Sequence, residues 1–272
     1  MKYRSSKSNF SKIVNTKRER EKEYSNYIDM LMTQGTDAIF GVDMHGQRNW
    51  TEFRLGLHNQ IIDKLLKGLT TDISPLAIFM GGGSGSGKSI IRDSIVKLMV
   101  KPDILTIDPD EIKKQLPEFS LFQFRKSAAA ASLVHSESKH VANRLIEEAL
   151  NYNYSFVYDT TMAAPAREFL RLIDKCKKRN YRLVAVVVTI PVEIAIKRAN
   201  IRFHKTKRNV PEESIRYTHE HFPKTFFQIR EQFDIVQIYD NSVDGQTPTL
   251  VAEEVDSGLE VLNDVVYNEF KE

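Results

Sequence analysis

Residues 51–272 predict an α/β domain with a five-stranded parallel sheet core and helices on both faces, and residues 1–50 predict a basic arm and N-terminal helical extension in front of it. Three observations carry that prediction. An apolar run at 76–80 ends in a glycine-rich loop that closes on Gly87-Lys88-Ser89, and Ile90-Ile91 then open a helical pattern. From there strand and helix signals alternate as far as residue 239. The stretch Arg182–Thr189 contains Leu-Val-Ala-Val-Val-Val with no polar alternation, which suits a parallel strand covered on both faces.

The elements follow in order. Residues 1–23 set eight lysines and arginines against three glutamates and read as a solvated arm, helical from about Lys17. Residues 24–50 mix Tyr24, Tyr27, Met30, Met32, Phe40 and Trp50 with Gly35, Gly41 and Gly46, an ordered extension with one helix and irregular connections. Thr51 begins a better helix, with Phe53, Leu57, Ile61 and Leu65 four apart on one stripe and His58 beside it as a packing histidine. Lys67-Gly68 ends that helix and Pro75 announces the first strand. Helices are expected at 88–99, 126–152, 164–178, 193–202 and 211–230. Strands are expected at 103–107, 155–158, 182–189 and 234–239, with an edge strand and a terminal helix within 248–270. No internal repeat is present.

Composition narrows the class. The chain has 272 residues, is 41% hydrophobic and 28% charged, and its net charge of +3 is too small to argue for nucleic acid by itself. A single cysteine, Cys176, leaves no intramolecular disulfide and is compatible with a reducing compartment. No apolar run reaches the roughly 18–20 residues of a membrane helix, and residues 1–23 lack the apolar centre of a signal peptide. A cytoplasmic protein without a membrane partner is expected.

The chemistry begins at Gly82–Ser89, which fits G-x-x-x-x-G-K-[ST] in its strand–loop–helix setting and points to the P-loop NTPase fold. Glycines allow positive φ and close backbone approach to phosphates. The backbone of Gly82, Gly83, Ser84, Gly85, Ser86, Gly87 and Ile90 would then form an anion nest at a helix start. Lys88 can reach the β- and γ-phosphates of a nucleotide, and the Ser89 hydroxyl can ligate Mg²⁺. After the second strand, Asp108-Pro109-Asp110 sets two carboxylates at a strand's carboxyl end, suited to an acceptor hydroxyl and to Mg²⁺; a helix N-cap is the alternative for Asp110. Asp159, closing the third strand ahead of Thr160-Thr161, stands where a Walker-B-like metal or substrate contact belongs, or else caps a turn. Beyond the fourth strand, Arg198, Arg202 and Arg208 can close over a triphosphate, or form a solvated basic helix end. Glu137 is a candidate substrate contact at the crevice. His135-Ser-Glu137 and His219-Glu220-His221 lack the spacing of common zinc sites. Asn-Lys-x-Asp is absent and the Asp-x-x-Gly at 43–46 precedes the phosphate loop, which argues against a GTPase.

With these residues assembled, positions 51–242 resemble the zeta-toxin family of P-loop kinases. The parts that carry the resemblance are the Arg54-x-x-x-His58 helix leading to Pro75, the phosphate loop, and Ile107-Asp108-Pro109-Asp110 with Lys113 and Pro117. An acidic-Thr-Thr turn at Asp159 and a basic segment ending Arg208-Asn209-Val210-Pro211 complete them. The resemblance implies transfer of the γ-phosphate of ATP (GTP in some members) to a hydroxyl of a small nucleotide-containing acceptor, with UDP-activated amino sugars the characterised class. It implies Asp110 as base, Lys88 and Ser89 on ATP and Mg²⁺, Arg202 and Arg208 bracketing the phosphates, and Asp159 and Thr161 facing the acceptor. Asp159 stands where the best-known members carry glutamate, Asn143 falls roughly where they have an acidic contact, and the segment from Arg202 to Arg208 is shorter than theirs. The resemblance therefore carries phosphotransfer further than it carries the acceptor. It leaves residues 1–50 outside and does not say whether they replace, mimic or recruit the small antitoxin that sits over the nucleotide site in toxin systems. A polynucleotide, nucleotide or NAD kinase of the same fold remains an alternative, as does a nucleotide-dependent switch.

Overall fold

The computed structural model describes residues 6–42, 48–96, 104–125, 129–206, 210–256 and 258–272. A seven-stranded sheet holds it together. Its strands are β3 (Leu76–Gly81), β4 (Leu105–Ile107), β5 (Phe156–Asp159), β6 (Arg182–Thr189), β7 (Ile235–Asp240), β8 (Thr249–Val255) and β9 (Gly258–Val261); β1 (Phe40–Val42) and β2 (Arg48–Trp50) pair separately. The spatial order is β4-β5-β3-β6-β7-β8-β9. The first five run parallel, as expected, and β8 and β9 add an antiparallel pair where one edge strand was anticipated. The chain leaves β3 for one side of the sheet and after β5 continues on the other. A crevice therefore opens outside the carboxyl end of β3.

Both faces are covered, which is why the strands lack polar alternation. Along β3, Ala77 and Phe79 enter the larger core with Phe122, Leu145, Phe156 and Phe226. Ile78 and Met80 face the other way, against Ile91, Val184, Val186 and Val188. All four β3 side chains are fully buried.

The extension is longer in helix than its sequence suggests. α1 spans Ser6–Gln34, starting well before Lys17. Its Leu31 is 1% exposed and belongs to the larger core, and Ile28 and Trp50 are buried too. Gly35 ends the helix at φ +69°, where a Cβ would lie 2.2 Å from the Leu133 carbonyl oxygen. The Asp-x-x-Gly at 43–46 lies outside the described residues.

α2 (Glu52–Leu66) starts at Thr51, whose hydroxyl accepts the Arg54 backbone N–H at 3.4 Å. Its buried face is Arg54, His58, Ile61 and Ile62, whereas Phe53 is 85% exposed. The expected stripe is thus rotated, because Arg54 and His58 find ionic partners inside. After the phosphate loop, α3 (Lys88–Ile91) passes into a π-turn at Arg92–Val96, and the rest of the expected 88–99 helix lies outside the described residues. Pro117–Arg125 is a further helix, where the sequence predicts no element. Residues 130–151 form two helices, Ala130–Leu133 and His135–Asn151, broken at Val134.

Candidate active site

The phosphate loop needs its glycines in three places for backbone reasons: Gly82, Gly85 and Gly87 have φ of +148°, +86° and +85°. Gly83 is held by a different constraint, since a Cβ there would stand 2.2 Å from the His219 ring. Three side chains brace the loop from outside. Thr218 Oγ1 accepts the Ser84 backbone N–H at 3.0 Å, His219 Nε2 lies 3.1 Å from the Ser84 carbonyl oxygen, and Asn241 Nδ2 donates to the Ser86 carbonyl at 2.8 Å. Sequence reasoning missed all three, and had examined His219 only as a zinc ligand. Lys88 turns back on the loop and donates to the Gly82 carbonyl at 2.8 Å. Burial holds its pKa below that of an ordinary lysine. Ile90 points its side chain outward, 55% exposed, and its N–H donates to the Gly87 carbonyl at 3.0 Å, so it does not join the anion nest.

Beside the loop is a cavity of about 450 Å³ whose lining includes Ser84, Gly85, Gly87, Lys88, Ser89, Asp108, Asp110, Asp159, Thr161, Arg198 and Arg202. Most of the residues singled out from the sequence thus meet in one place. Asp108 caps the helix Pro109–Lys113, accepting the Asp110 backbone N–H at 2.8 Å; the cap is Asp108 and not Asp110. That leaves the Asp110 carboxylate to the cavity, where Lys113 Nζ donates to it at 2.9 Å. Arg92, absent from the sequence reading, lines the same cavity. Its Nη1 donates to Asp159 at 2.7 Å and to Asp108 at 3.2 Å. Asp159 is 8% exposed, and burial raises its pKa against the pull of Lys88 and Arg92.

One expected contributor stands elsewhere, and another is not described. Glu137 is fully buried and does not line the cavity. It accepts hydrogen bonds from Arg54 and lies 2.7 Å from His58 Nε2, while Arg54 also donates to Glu118 at 2.6 and 2.8 Å. Its carboxylate is spent on an internal ion network, which removes it as a substrate contact. Arg208 lies outside the described residues.

A second cavity, about 840 Å³, adjoins the first and shares Pro109, His135, Thr160 and Thr161 with it. Asn143 lies in its wall. Of the cations there, Lys139 pairs with Glu168 and Lys175 with Glu147. Arg167 and Arg171 are exposed on its rim without an ion-pair partner among the described residues.

Among the described residues no group of three or more His, Cys, Asp or Glu is placed to hold a metal. Asp108 and Asp159 nevertheless converge on one point, and with the Ser89 hydroxyl in the same cavity they offer hard oxygen donors. That set fits Mg²⁺, which commonly takes one or two carboxylates and completes its shell with phosphate and water. No described helix is long and apolar enough to cross a membrane.

The family model described as Zeta toxin matches residues 61–247. No curated protein matches the chain. Among solved structures, the chain is similar to one from the PezAT chromosomal toxin-antitoxin system of Streptococcus pneumoniae, at 18% identity and a TM-score of 0.64, covering 81% of this chain and 87% of that one. It is also similar to the AvrRxo1-ORF1:AvrRxo1-ORF2 complex with sulphate ions, at 18% identity and a TM-score of 0.67, covering 88% and 82%. The same complex with ATP gives 18% identity and 0.66 over the same shares. At that identity these likenesses speak for the fold.

Proposed function

Because the chain belongs to the zeta toxin family, we propose that it is an ATP-dependent kinase acting on a hydroxyl of a small nucleotide-containing acceptor, a UDP-activated amino sugar first among them. The observation that carries this reading is the meeting of Lys88, Ser89, Asp108, Asp110, Asp159 and Arg202 around one cavity at the carboxyl end of the sheet. The loop and Lys88 would hold the triphosphate, and Ser89 and Asp159 would hold Mg²⁺, which when bound would supply neutralisation of phosphate charge. Asp110, oriented by Lys113, takes the acceptor proton as the acceptor oxygen bonds to the γ-phosphorus and the bond to the ADP oxygen breaks. Arg202, and Arg208 with it, offset charge on the transferring group.

The adjoining cavity is the place for the acceptor, with Thr161 at the junction and Asp159 and Asp108 on the donor side. Arg167 and Arg171 on its rim, without an ion-pair partner among the described residues, suit an acceptor that carries phosphate. An antitoxin or other protein partner is part of the proposal, since solved neighbours come from a toxin-antitoxin system and from a two-component complex.

Incubation with γ-labelled ATP, Mg²⁺ and a panel of UDP-sugars, dinucleotides and oligonucleotides tests the reading. Label on a UDP-amino sugar, lost in Lys88→Ala, is the expected result. Label on NAD or on a polynucleotide would move the acceptor to another class. Nucleotide binding with no labelled acceptor would favour a switch.

A further inference from the structure

Arg92 lines the cavity with a charge that the reading above does not use. It stands four residues after Lys88, where the α-helix gives way to a π-turn, a local widening often found at functional sites. One nitrogen of its guanidinium, Nη1, lies 2.7 Å from Asp159 Oδ2 and 3.2 Å from Asp108 Oδ2. The side chain is 17% exposed, so these contacts are shielded from bulk water. Two carboxylates from the ends of different strands thus share a single cationic atom, at the point where a divalent ion would meet them both.

We propose that Arg92 is a resident counter-cation which holds Asp108 and Asp159 in place before metal arrives and keeps a divalent ion from settling there until nucleotide is bound. The inference rests on the crevice being the nucleotide-metal site. A guanidinium stays protonated at any working pH, so it cannot vacate the point by losing its charge. It must move, and a dication brought to the same carboxylates would meet its full repulsion. A triphosphate supplies what Arg92 needs in order to move, because a guanidinium exchanges carboxylate for phosphate oxygen with little loss of hydrogen bonding. Transfer of Arg92 to the phosphates would release both carboxylates as metal enters. The order is thereby fixed, with nucleotide or its metal complex before free metal. Arg92 acts here as a positioning residue.

The test reads Mn²⁺ binding by electron paramagnetic resonance, with and without a non-hydrolysable ATP analogue, on the full chain. Wild type should bind Mn²⁺ at least about tenfold more weakly without the analogue than with it. Arg92→Gln removes the charge and should tighten nucleotide-free Mn²⁺ binding by about tenfold or more, closing that gap. Arg92→Lys, which keeps a cation, should retain weak binding. Thermal melting of each variant identifies any loss of fold, and in that event Arg92→Met at the same position replaces Gln in the comparison. Unchanged nucleotide-free affinity in folded Arg92→Gln would overturn the proposal and leave Arg92 a structural tie between strand ends. Absence of nucleotide-dependent Mn²⁺ binding in wild type would overturn the site reading itself.

Discussion

Lys88 curls onto the Gly82 carbonyl and Asp110 pairs with Lys113, so both of these groups already have a fixed orientation. Lys88→Ala should abolish phosphotransfer without unfolding the protein; circular dichroism and a turnover assay together check this. Asp110→Asn should keep ATP affinity and lower turnover by roughly 10²–10⁴-fold, as expected for loss of a general base. A lower melting temperature with normal turnover would instead make Asp110 a structural residue. Arg202→Ala should reduce kcat by roughly 10²-fold while ATP affinity changes by less than about tenfold, because charge on the transferring group is greatest in the transition state. Loss of ATP affinity with kcat untouched would assign it to ground-state binding.

At the scale of elements, the buried Arg54–Glu137–His58 network ties α2 to the helix His135–Asn151, and Glu118 brings in the helix Pro117–Arg125. Glu137→Ala would leave Arg54 with a buried, partly unmatched charge and should cost about 3–5 kcal/mol in denaturant unfolding. Acceptor KM in the surviving folded protein should be unchanged; a raised KM at normal stability would return Glu137 to the substrate. This network also marks where the sequence stops being readable. The phosphate loop, the Thr51 cap and Arg182–Thr189 are local patterns, and the chain spells them out within a few residues. Glu137 could not be assigned that way, because Arg54 is 83 residues away in sequence. Arg92, Thr218, His219 and Asn241 were illegible for the same reason, since each takes its meaning from a distant partner. The rotated face of α2 has that origin too, as an arginine and a histidine on the buried side defeat a search for apolar periodicity.

For the whole molecule, the partly buried histidines set the response to acid. Burial lowers the pKa of His140 and His219 below the ordinary 6.5. Between 6.5 and the lower folded values the unfolded chain binds more protons than the native one. Stability is therefore complete above about pH 6.5 and declines as pH falls through that window, by at most about 1.4 kcal/mol per pH unit for each group. Asp159, raised by burial, works in the opposite direction at lower pH. Calorimetric melting should show a plateau from pH 7 to 8 and a falling Tm from about 6.5 to 5, and His140→Gln should flatten part of that slope. A Tm independent of pH across this range would show that neither histidine resists protonation in the folded state.

The contact between Gly83 and His219 has a consequence in the language of genetics. Gly83→Ala forces a methyl group into an imidazole ring and should weaken ATP binding by about tenfold or more, as overpacking of a fixed site does. The fault lies in a neighbour and not in the ligand, so it should have a suppressor at position 219. Adding His219→Ala to Gly83→Ala should return much of the lost affinity, although His219→Ala alone loosens the loop. Competition binding on the two single variants and the double variant measures the rescue. Two lesions 136 positions apart would then be partly cured by each other's presence. Without rescue, the glycine would be required by the bound phosphate after all.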